Sequence, residues 1–194
     1  MTTFDPHPIY SGRLVYVVGP SGAGKDSVIA VARKKLNESK NIYFPPRYVT
    51  RVDNNGDDDL PISGTAFMHY RLNGLFALEW EAHGFCYGIG AVINTPLHAG
   101  KTVVVNGSRA HIATALTKYP AMTVVQISVT REVARARLNL RARENAEAIS
   151  ARVNRSPQFA APSAQIITID NSGVLEHAAQ QLMAVLCAGL TVIK

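Results

Sequence analysis

Residues 14–26 read LVYVVGPSGAGKD, and this stretch decides the fold. Its first five residues are apolar and mostly β-branched, which predicts a short strand buried on both faces. From Lys25 onward the spacing changes, because Val28, Ala32 and Leu36 recur at helical intervals. The glycine-rich segment between the two patterns is therefore a loop that joins a buried strand to the beginning of a helix.

The loop matches the pattern G-x-x-x-x-G-K in the strand-to-helix context that this pattern requires. Its glycines let backbone N–H groups converge on a phosphate at a helix N-terminus, and Lys25 can reach the β- and γ-phosphates of ATP. A chance glycine-rich turn is the alternative, and the flanking strand and helix argue against it. The predicted ATP-binding residues are Gly19, Pro20, Ser21, Gly22, Ala23, Gly24, Lys25, Asp26 and Ser27.

The residue after the lysine departs from the usual pattern. Asp26 stands where a serine or threonine hydroxyl commonly binds Mg²⁺. A carboxylate is also a hard oxygen ligand, so Asp26 is predicted to hold Mg²⁺ directly or through a water molecule. The alternative is an ordinary acidic residue stabilised by the dipole of the helix N-terminus.

Strand and helix patterns alternate along most of the remaining chain. Strands are predicted at residues 102–105, 123–128 and 166–169, and helices at 109–119, about 131–140, about 146–155 and after 173. This alternation predicts an α/β fold with a parallel sheet covered by helices on both faces. Residues 1–12 are interpreted as an N-terminal arm, residues 13–194 as a single domain, and the less regular residues 45–100 as an inserted substrate-binding lobe.

The composition excludes several classes of protein. The chain has 194 residues, of which 47% are hydrophobic and 18% charged, as in a globular domain. Cys86 and Cys187 are too few for a disulfide framework or a zinc quartet, which fits a reducing, cytoplasmic location. The six histidines show no metal-ligand spacing. No stretch predicts a signal peptide or a membrane span, so we expect no membrane partner.

The formal net charge of +6 is concentrated in one segment. Residues 131–155 hold seven of the thirteen arginines, no lysine and three glutamates. Arginine without lysine favours bidentate binding of phosphate over diffuse attraction to a nucleic acid, so no nucleic-acid partner is expected. Arg137 and Arg141 lie four residues apart on one helix face, and Arg152 lies on the predicted returning helix. The segment is interpreted as a lid over ATP; a solvated basic helix pair is the alternative.

Four stretches together resemble the guanylate kinase family over about residues 13–187. They are GPSGAGKDS at 19–27, RYVTR at 47–51, WEAHGFCYG at 80–88 and VNGSRAH at 105–111. They are most similar to the branch of ribose 1,5-bisphosphate phosphokinases of phosphonate catabolism. The resemblance implies a P-loop kinase fold, ATP and Mg²⁺ as cofactors, and 5-phosphoribosyl diphosphate as product.

The resemblance also implies roles for individual residues. The expected catalytic residues are Lys25, Arg137, Arg141 and Arg152. The expected substrate residues are Arg47, Thr50, Arg51, Tyr87, Asn106 and Arg109. Each arginine taken alone could equally be a solvated surface charge.

Departures from guanylate kinases indicate a different acceptor. Ile89 follows Tyr-Gly where those enzymes typically have serine, and Leu78 stands about where a base-reading carboxylate is expected. Asn106 lies at or near their aspartate region. Buried guanine donors left unpaired at such a site cost about 1–3 kcal/mol each. The branch that the chain resembles implies a sugar bisphosphate as the small-molecule partner, and Arg47, Arg51 and Arg109 fit its negative charge.

Three rival interpretations remain at this stage. The first is a guanylate kinase in the strict sense, and the second is a guanylate kinase-like interaction module without chemistry. Such modules usually have an eroded phosphate loop, whereas Lys25 and the three loop glycines are present here. The third, nucleic-acid binding, is weakened by the concentration of positive charge in the predicted lid. A homodimer is left open.

Overall fold

A five-stranded parallel sheet forms the centre of the molecule. The structure is a computed structural model that describes residues 10–51, 59–140 and 165–188. In spatial order the strands are β2 (Ile42–Tyr43), β7 (Thr102–Asn106), β1 (Arg13–Val18), β8 (Thr123–Ser128) and β9 (Gln165–Asp170). The pairs β1–β7, β1–β8, β2–β7 and β8–β9 are all parallel. The parallel sheet predicted from the sequence is confirmed.

The central strand β1 is buried on both of its faces, as its apolar sequence predicts. Leu14, Tyr16 and Val18 pack into one hydrophobic cluster, while Val15 and Val17 pack into a second cluster on the opposite face. The second cluster is covered by α1 (Lys25–Lys35) and α6 (Leu175–Cys187). Successive side chains of a strand point to opposite faces, so five consecutive apolar residues serve two cores.

The other face of the sheet is covered by short helices together with a second sheet. The helices there are α3 (Asn94–His98) and α4 (Ile112–Lys118). The second sheet has the order β4 (Asp59–Pro61), β3 (Arg47–Val49), β6 (Phe85–Gly90) and β5 (Phe76–Ala82). Only β3–β4 is parallel, and β3–β6 and β5–β6 are antiparallel.

The second sheet corrects the prediction that residues 45–100 are irregular. Besides its four strands, the segment contains α2 (Gly64–Leu72), α3 and a short 3₁₀ helix (Ala91–Ile93). Two of the strands have only three residues, and the register of β5 and β6 shifts between Phe76 and Leu78. Such short and irregular strands show little period-2 alternation, which explains why the sequence pattern missed them.

Two further predicted elements differ from the structure or lie outside it. The helix predicted at residues 109–119 is a 3₁₀ helix (Arg109–His111) followed by α4. The helix α5 (Arg131–Leu140) agrees with its prediction, whereas the helix predicted near 146–155 lies outside the described residues. Of the predicted arm, Tyr10 and Gly12 are hydrogen-bonded to Asn94 and Leu97 of α3.

Gly107 allows the chain to turn closely over a buried ring at the end of β7. A Cβ atom at Gly107 would collide with the ring of Tyr16, which is fully buried and whose hydroxyl accepts the Ser108 N–H at 3.0 Å. Because the ring has no space to move into, Gly107→Ala should lower the free energy of unfolding by about 1–3 kcal/mol, as overpacking typically does. The measurement is urea denaturation of the purified variant.

Gly64→Ala is the matched control for this variant. A Cβ atom at Gly64, the first residue of α2, meets nothing within 4 Å. Alanine has the higher helix propensity, so Gly64→Ala should leave stability unchanged or raise it by up to about 1 kcal/mol. Equal stability of the two variants would contradict the close approach of Gly107 to Tyr16.

Candidate active site

The carboxyl ends of neighbouring parallel strands bring the candidate residues to one edge of the central sheet. The glycine loop of residues 19–24 follows β1, Asn106 ends the adjacent strand β7, and Asn171 follows β9. Open parallel sheets bind ligands outside the carboxyl ends of their strands. This edge is therefore the candidate active site.

The glycine loop is held in a conformation that glycine favours. Gly22 and Gly24 have φ values of 81° and 74°, in the left-handed region. A Cβ atom at Gly24 would lie 2.6 Å from the amide nitrogen of Asn171. The carbonyl of Ala23 accepts a hydrogen bond from Asn171 Nδ2 at 2.7 Å and one from Arg137 Nη1 at 3.5 Å. Side chains of two distant elements thus fix the loop at the beginning of α1.

Asn171 is a functional candidate that sequence reasoning missed. It lies between the strand predicted at 166–169 and the helix predicted after residue 173, yet it is buried and its backbone N–H also donates to the carbonyl of Ser128. Its Oδ1 atom is buried without a hydrogen-bond partner among the described residues. The usable signal was a polar side chain directly after a strand of the same parallel sheet, two strands away from the glycine-loop strand β1.

Lys25, Asp26 and Asn106 form a contiguous group at the mouth of the loop. Lys25 Nζ lies 3.3 Å from Asp26 Oδ1, and Asn106 Nδ2 donates to the same carboxylate oxygen at 2.5 Å. Asn106 Oδ1 is buried and has no partner in the part of the chain that the structure describes. The predicted nucleotide-binding and substrate residues therefore meet at Asp26.

The charges of this group shift the pKa values of its members. Burial lowers the pKa of Lys25, and the Asp26 carboxylate opposes that shift. The Lys25 ammonium holds the pKa of Asp26 well below its usual range, and the Asn106 hydrogen bond acts in the same direction. The positive charge of Arg47 lowers the pKa of both residues. The candidate ATP residues and the second sheet thus act on each other electrostatically.

A second charged group lies on the second sheet. Arg47 Nε and Nη2 donate to the two carboxylate oxygens of Asp59 at 2.8 Å and 3.0 Å, and Arg51 Nη2 lies 3.8 Å from Asp59 Oδ2. The guanidinium carbon of Arg47 lies 5.2 Å from the centroid of the Tyr87 ring, which stacks on Trp80. Three predicted substrate residues, Arg47, Arg51 and Tyr87, therefore lie together. The carboxylate beside them, Asp59, was not among the predicted site residues.

The remaining predicted residues are less closely grouped. The Thr50 hydroxyl accepts the Cys86 N–H at 2.9 Å, so it takes part in the pairing of β3 with β6. Arg109 begins the 3₁₀ helix that follows β7, and burial lowers the pKa of its guanidinium. Arg141 and Arg152 lie outside the described residues. Within the described ranges, no group of three or more His, Cys, Asp or Glu side chains could hold a metal ion.

Comparison with solved structures defines the class of protein. The chain superimposes on a guanylate kinase from Anaplasma phagocytophilum with a TM-score of 0.67, covering 94% of this chain and 89% of that one at 16% identity. The central sheet with its glycine loop is therefore a P-loop kinase fold of the guanylate kinase type. This confirms the fold class predicted from the sequence. Among the described helices, none is long and apolar enough to cross a membrane.

Sequence comparison defines the family. The chain is 47% identical over 175 residues to the ribose 1,5-bisphosphate phosphokinase PhnN of Burkholderia pseudomallei, covering 90% of this chain and 95% of that protein. The corresponding proteins of Desulfomicrobium baculatum and Rhizobium etli are 42% and 37% identical, covering 88% and 95% of this chain and 91% and 95% of theirs. No family model matches the chain. The chain belongs to the ribose 1,5-bisphosphate phosphokinase family, as the resemblance predicted.

Asp26 should determine the pH range in which Lys25 carries its charge. Asp26→Asn removes the carboxylate that raises the pKa of Lys25 and leaves the burial that lowers it. An ammonium that binds phosphate is lost as the pH rises through its pKa, so the alkaline limb of kcat/KM for ATP should move to lower pH in the variant. The measurement is the pH profile of kcat/KM at saturating Mg²⁺.

Glu38→Gln is the control, since it removes the same formal charge and Glu38 is not among the groups that shift the pKa of Lys25. Its alkaline limb should coincide with that of the wild type. If the limb stays in place in Asp26→Asn, or moves to higher pH, Asp26 does not support the charge of Lys25.

Proposed function

We propose that the chain is an ATP-dependent kinase that transfers the γ-phosphoryl group of ATP to the 1-phosphate of ribose 1,5-bisphosphate. The bond from the γ-phosphorus to ADP breaks, a bond to an oxygen of the 1-phosphate forms, and 5-phosphoribosyl 1-diphosphate and ADP leave. The observation that carries this proposal is membership of the family at 47% identity over nearly the whole chain. The geometry at the edge of the sheet supports it from the residues upward.

The donor half of the site is the glycine loop with Lys25. Residues 19–24 and the first turn of α1 present backbone N–H groups at a helix N-terminus, where the dipole favours phosphate. The Lys25 side chain is only 16% exposed and already lies beside the loop. Its ammonium contributes positive charge where the β- and γ-phosphates of ATP would lie, and this arrangement neutralises developing charge during phosphoryl transfer.

The acceptor half is the second sheet. Arg47 and Arg51 offer two guanidinium groups for the phosphates of the sugar, with Tyr87 beneath Arg47. Thr50, Asn106 and Arg109 complete the set of proposed substrate residues. Both substrates are polyanions, so their repulsion has to be offset before an acceptor oxygen can approach the γ-phosphorus in line. The neighbouring guanidinium groups of Arg47 and Arg51 would offset this repulsion.

The residues at the guanine-reading positions favour a sugar acceptor over a base. Leu78 pairs with Ile89 across β5 and β6, and both side chains are buried in the apolar core. Neither can accept a hydrogen bond from a guanine donor. A guanine bound there would leave its donors unpaired, which disfavours GMP.

Asp26 and Asn106 fit the Mg²⁺ that such a kinase uses. Both present hard oxygens, and Asn106 Oδ1 is buried without a partner in the described part of the chain. Mg²⁺ keeps several waters and takes one or two carboxylates plus substrate phosphates, which agrees with a small donor set. When bound, Mg²⁺ would offset the charge of the β- and γ-phosphates. Asp26 and Asn106 would hold it, and the hydrogen bond from Asn106 Nδ2 would fix the position of the Asp26 carboxylate.

The lid is the remaining part of the proposal. Arg137 on α5 reaches the Ala23 carbonyl of the loop, so the beginning of the lid segment already contacts the donor half. Arg141 and Arg152 are proposed to bring two further guanidinium groups to the transferred phosphoryl when the lid closes. The cytoplasmic location, the homodimer and the lack of a nucleic-acid partner stay predictions from the sequence.

The acceptor preference is tested by measuring ADP release with ribose 1,5-bisphosphate and with GMP side by side. The sugar bisphosphate should exceed GMP in kcat/KM by up to about ten-thousandfold, since discrimination that rests on unpaired polar groups reaches that range. The product should be consumed by a coupled phosphoribosyltransferase. Lys25→Ala, as control, should lose at least about a hundredfold in kcat with both acceptors, because both reactions would use the same donor site.

Two outcomes contradict the proposal. Efficient phosphorylation of GMP with no turnover of the sugar would make the chain a guanylate kinase. If the folded protein releases no ADP with either acceptor, the chain is a guanylate kinase-like module without chemistry.

The role of Asp26 toward Mg²⁺ is tested with a pair of variants. Asp26→Ala removes the oxygen ligand, whereas Asp26→Ser restores the hydroxyl that most phosphate loops have at this position. The Mg²⁺ concentration at half-maximal rate should rise severalfold in Asp26→Ala and distinctly less in Asp26→Ser. If both variants and the wild type depend equally on Mg²⁺, Asp26 does not bind the metal ion and is only an acidic residue at a helix N-terminus.

A further inference from the structure

The buried carboxylate of Asp59 has no role in the reaction described so far. Its side chain is 2% exposed, and it lies on β4 at the edge of the second sheet, directly paired with Arg47 of β3. Both of its oxygens accept hydrogen bonds from Arg47, and one also lies 3.8 Å from Arg51 Nη2. One carboxylate therefore joins the two arginines that the proposed function assigns to the acceptor.

A carboxylate at this place is unfavourable on charge grounds alone. The three residues carry a net charge of +1, whereas the two arginines without Asp59 would carry +2 and would attract a phosphate more strongly. A site that needed only positive charge would therefore do better with a neutral residue. Apart from allowing two cations to be buried side by side, the contribution of Asp59 to the binding site is therefore geometric.

The geometry leaves Arg47 with little freedom. The Nε and Nη2 edge of its guanidinium forms a bidentate pair with Asp59. The guanidinium also lies near the Tyr87 ring, and the centroid of that ring lies 5.7 Å from the centroid of the Trp80 ring on which it stacks. The Nη1 atom has no protein hydrogen-bond partner among the residues that the structure describes. A planar guanidinium group that is held along one edge keeps its other N–H groups pointing in a fixed direction.

We propose that Asp59 is a positioning residue of the acceptor site, which fixes the guanidinium groups of Arg47 and Arg51 side by side so that they bind acceptor phosphate without first having to be ordered. The inference rests on the proposed function and deepens it. Ordering a long side chain in advance lowers the entropic cost of binding, because that cost is met during folding rather than when the ligand binds. Asp59 thus increases affinity for an anion although it is itself an anion.

Asp59→Asn separates the two explanations by the sign of its effect. If net charge governs the site, the variant, which has lost one negative charge, binds ribose 1,5-bisphosphate more tightly. If position governs it, the asparagine amide meets an arginine donor with its own N–H₂ group, Arg47 loses its fixed orientation, and binding weakens. We expect the dissociation constant to rise about tenfold or more, as for the loss of a hydrogen bond between charged groups.

The measurements are calorimetric binding of ribose 1,5-bisphosphate without ATP, the KM values for both substrates, and the thermal unfolding midpoint. The KM for ATP should change less than the KM for the sugar, since Asp59 pairs directly with Arg47, whereas its charge is the smallest of the influences on the pKa of Lys25. Asp59→Glu keeps the charge but moves the carboxylate, and it should also weaken binding. This second variant carries the test if Asp59→Asn does not fold.

Glu79→Gln is the matched control. Glu79 forms an ion pair with Arg71 at 3.1 Å on the same sheet, but the strand alternation places it on the opposite face from Trp80 and Tyr87. The variant removes the same charge from a comparable carboxylate–arginine pair. Its dissociation constant for the sugar should equal that of the wild type.

A double-mutant cycle tests whether Asp59 acts through Arg47. Arg47→Lys keeps the positive charge but cannot form the bidentate pair. In that background Asp59→Asn should no longer weaken binding of the sugar, and the freed charge should strengthen it slightly. Equal effects in both backgrounds would show independent sites and overturn the inference.

The outcomes distinguish this inference from the proposed function. Unchanged or tighter binding of the sugar by folded Asp59→Asn overturns the positioning role, as does an equal rise of both KM values. A wild-type protein that binds the sugar without turnover overturns the proposed function and leaves the Asp59 comparison decisive through binding alone. A wild-type protein that does not bind the sugar overturns both.

Discussion

The position of β1 between two parallel neighbours is the constraint on which the site depends. β1 pairs with β7 on one side and with β8 on the other, all in the same direction, so the glycine loop, Asn106 and the chain after β8 leave the sheet at one edge. Because both faces of β1 are buried, a shift in its register would disturb the packing of two cores. Packing of the strand therefore fixes the position of the glycine loop.

Two cationic groups of the site have carboxylate partners built into the fold. Lys25 pairs with Asp26, and Arg47 pairs with Asp59. Without such a partner, a buried lysine would lose its proton more readily and a buried arginine, which stays charged, would be costly to bury, since desolvation disfavours the charged form. The two carboxylates differ in their surroundings: Asp26 lies beside the glycine loop and is half exposed, whereas Asp59 is enclosed.

The sequence predicted the central sheet and the phosphate loop because their signals are local. Five apolar residues, a glycine loop and a helical period lie within one stretch around Lys25, and β7, β8 and β9 are apolar runs of similar kind. The second sheet was missed because its pairings join short strands across long separations, such as Arg47 with Ile89. Asp59 gave no separate signal because it is the last of three consecutive aspartates. Only the register of β4 against β3 shows that it lies opposite Arg47.

The second sheet also explains how one fold can serve different acceptors. The chain keeps the guanylate kinase fold at 16% identity, so the fold tolerates extensive substitution. A base needs neutral donors and acceptors along an edge, whereas a phosphate needs guanidinium groups with fixed direction. Here Leu78 and Ile89 supply no acceptor for a base, and Arg47, held by Asp59, supplies charge. Under the proposed function, the choice of acceptor depends on a few side chains of the second sheet, which can change without disturbing the parallel sheet that carries the glycine loop.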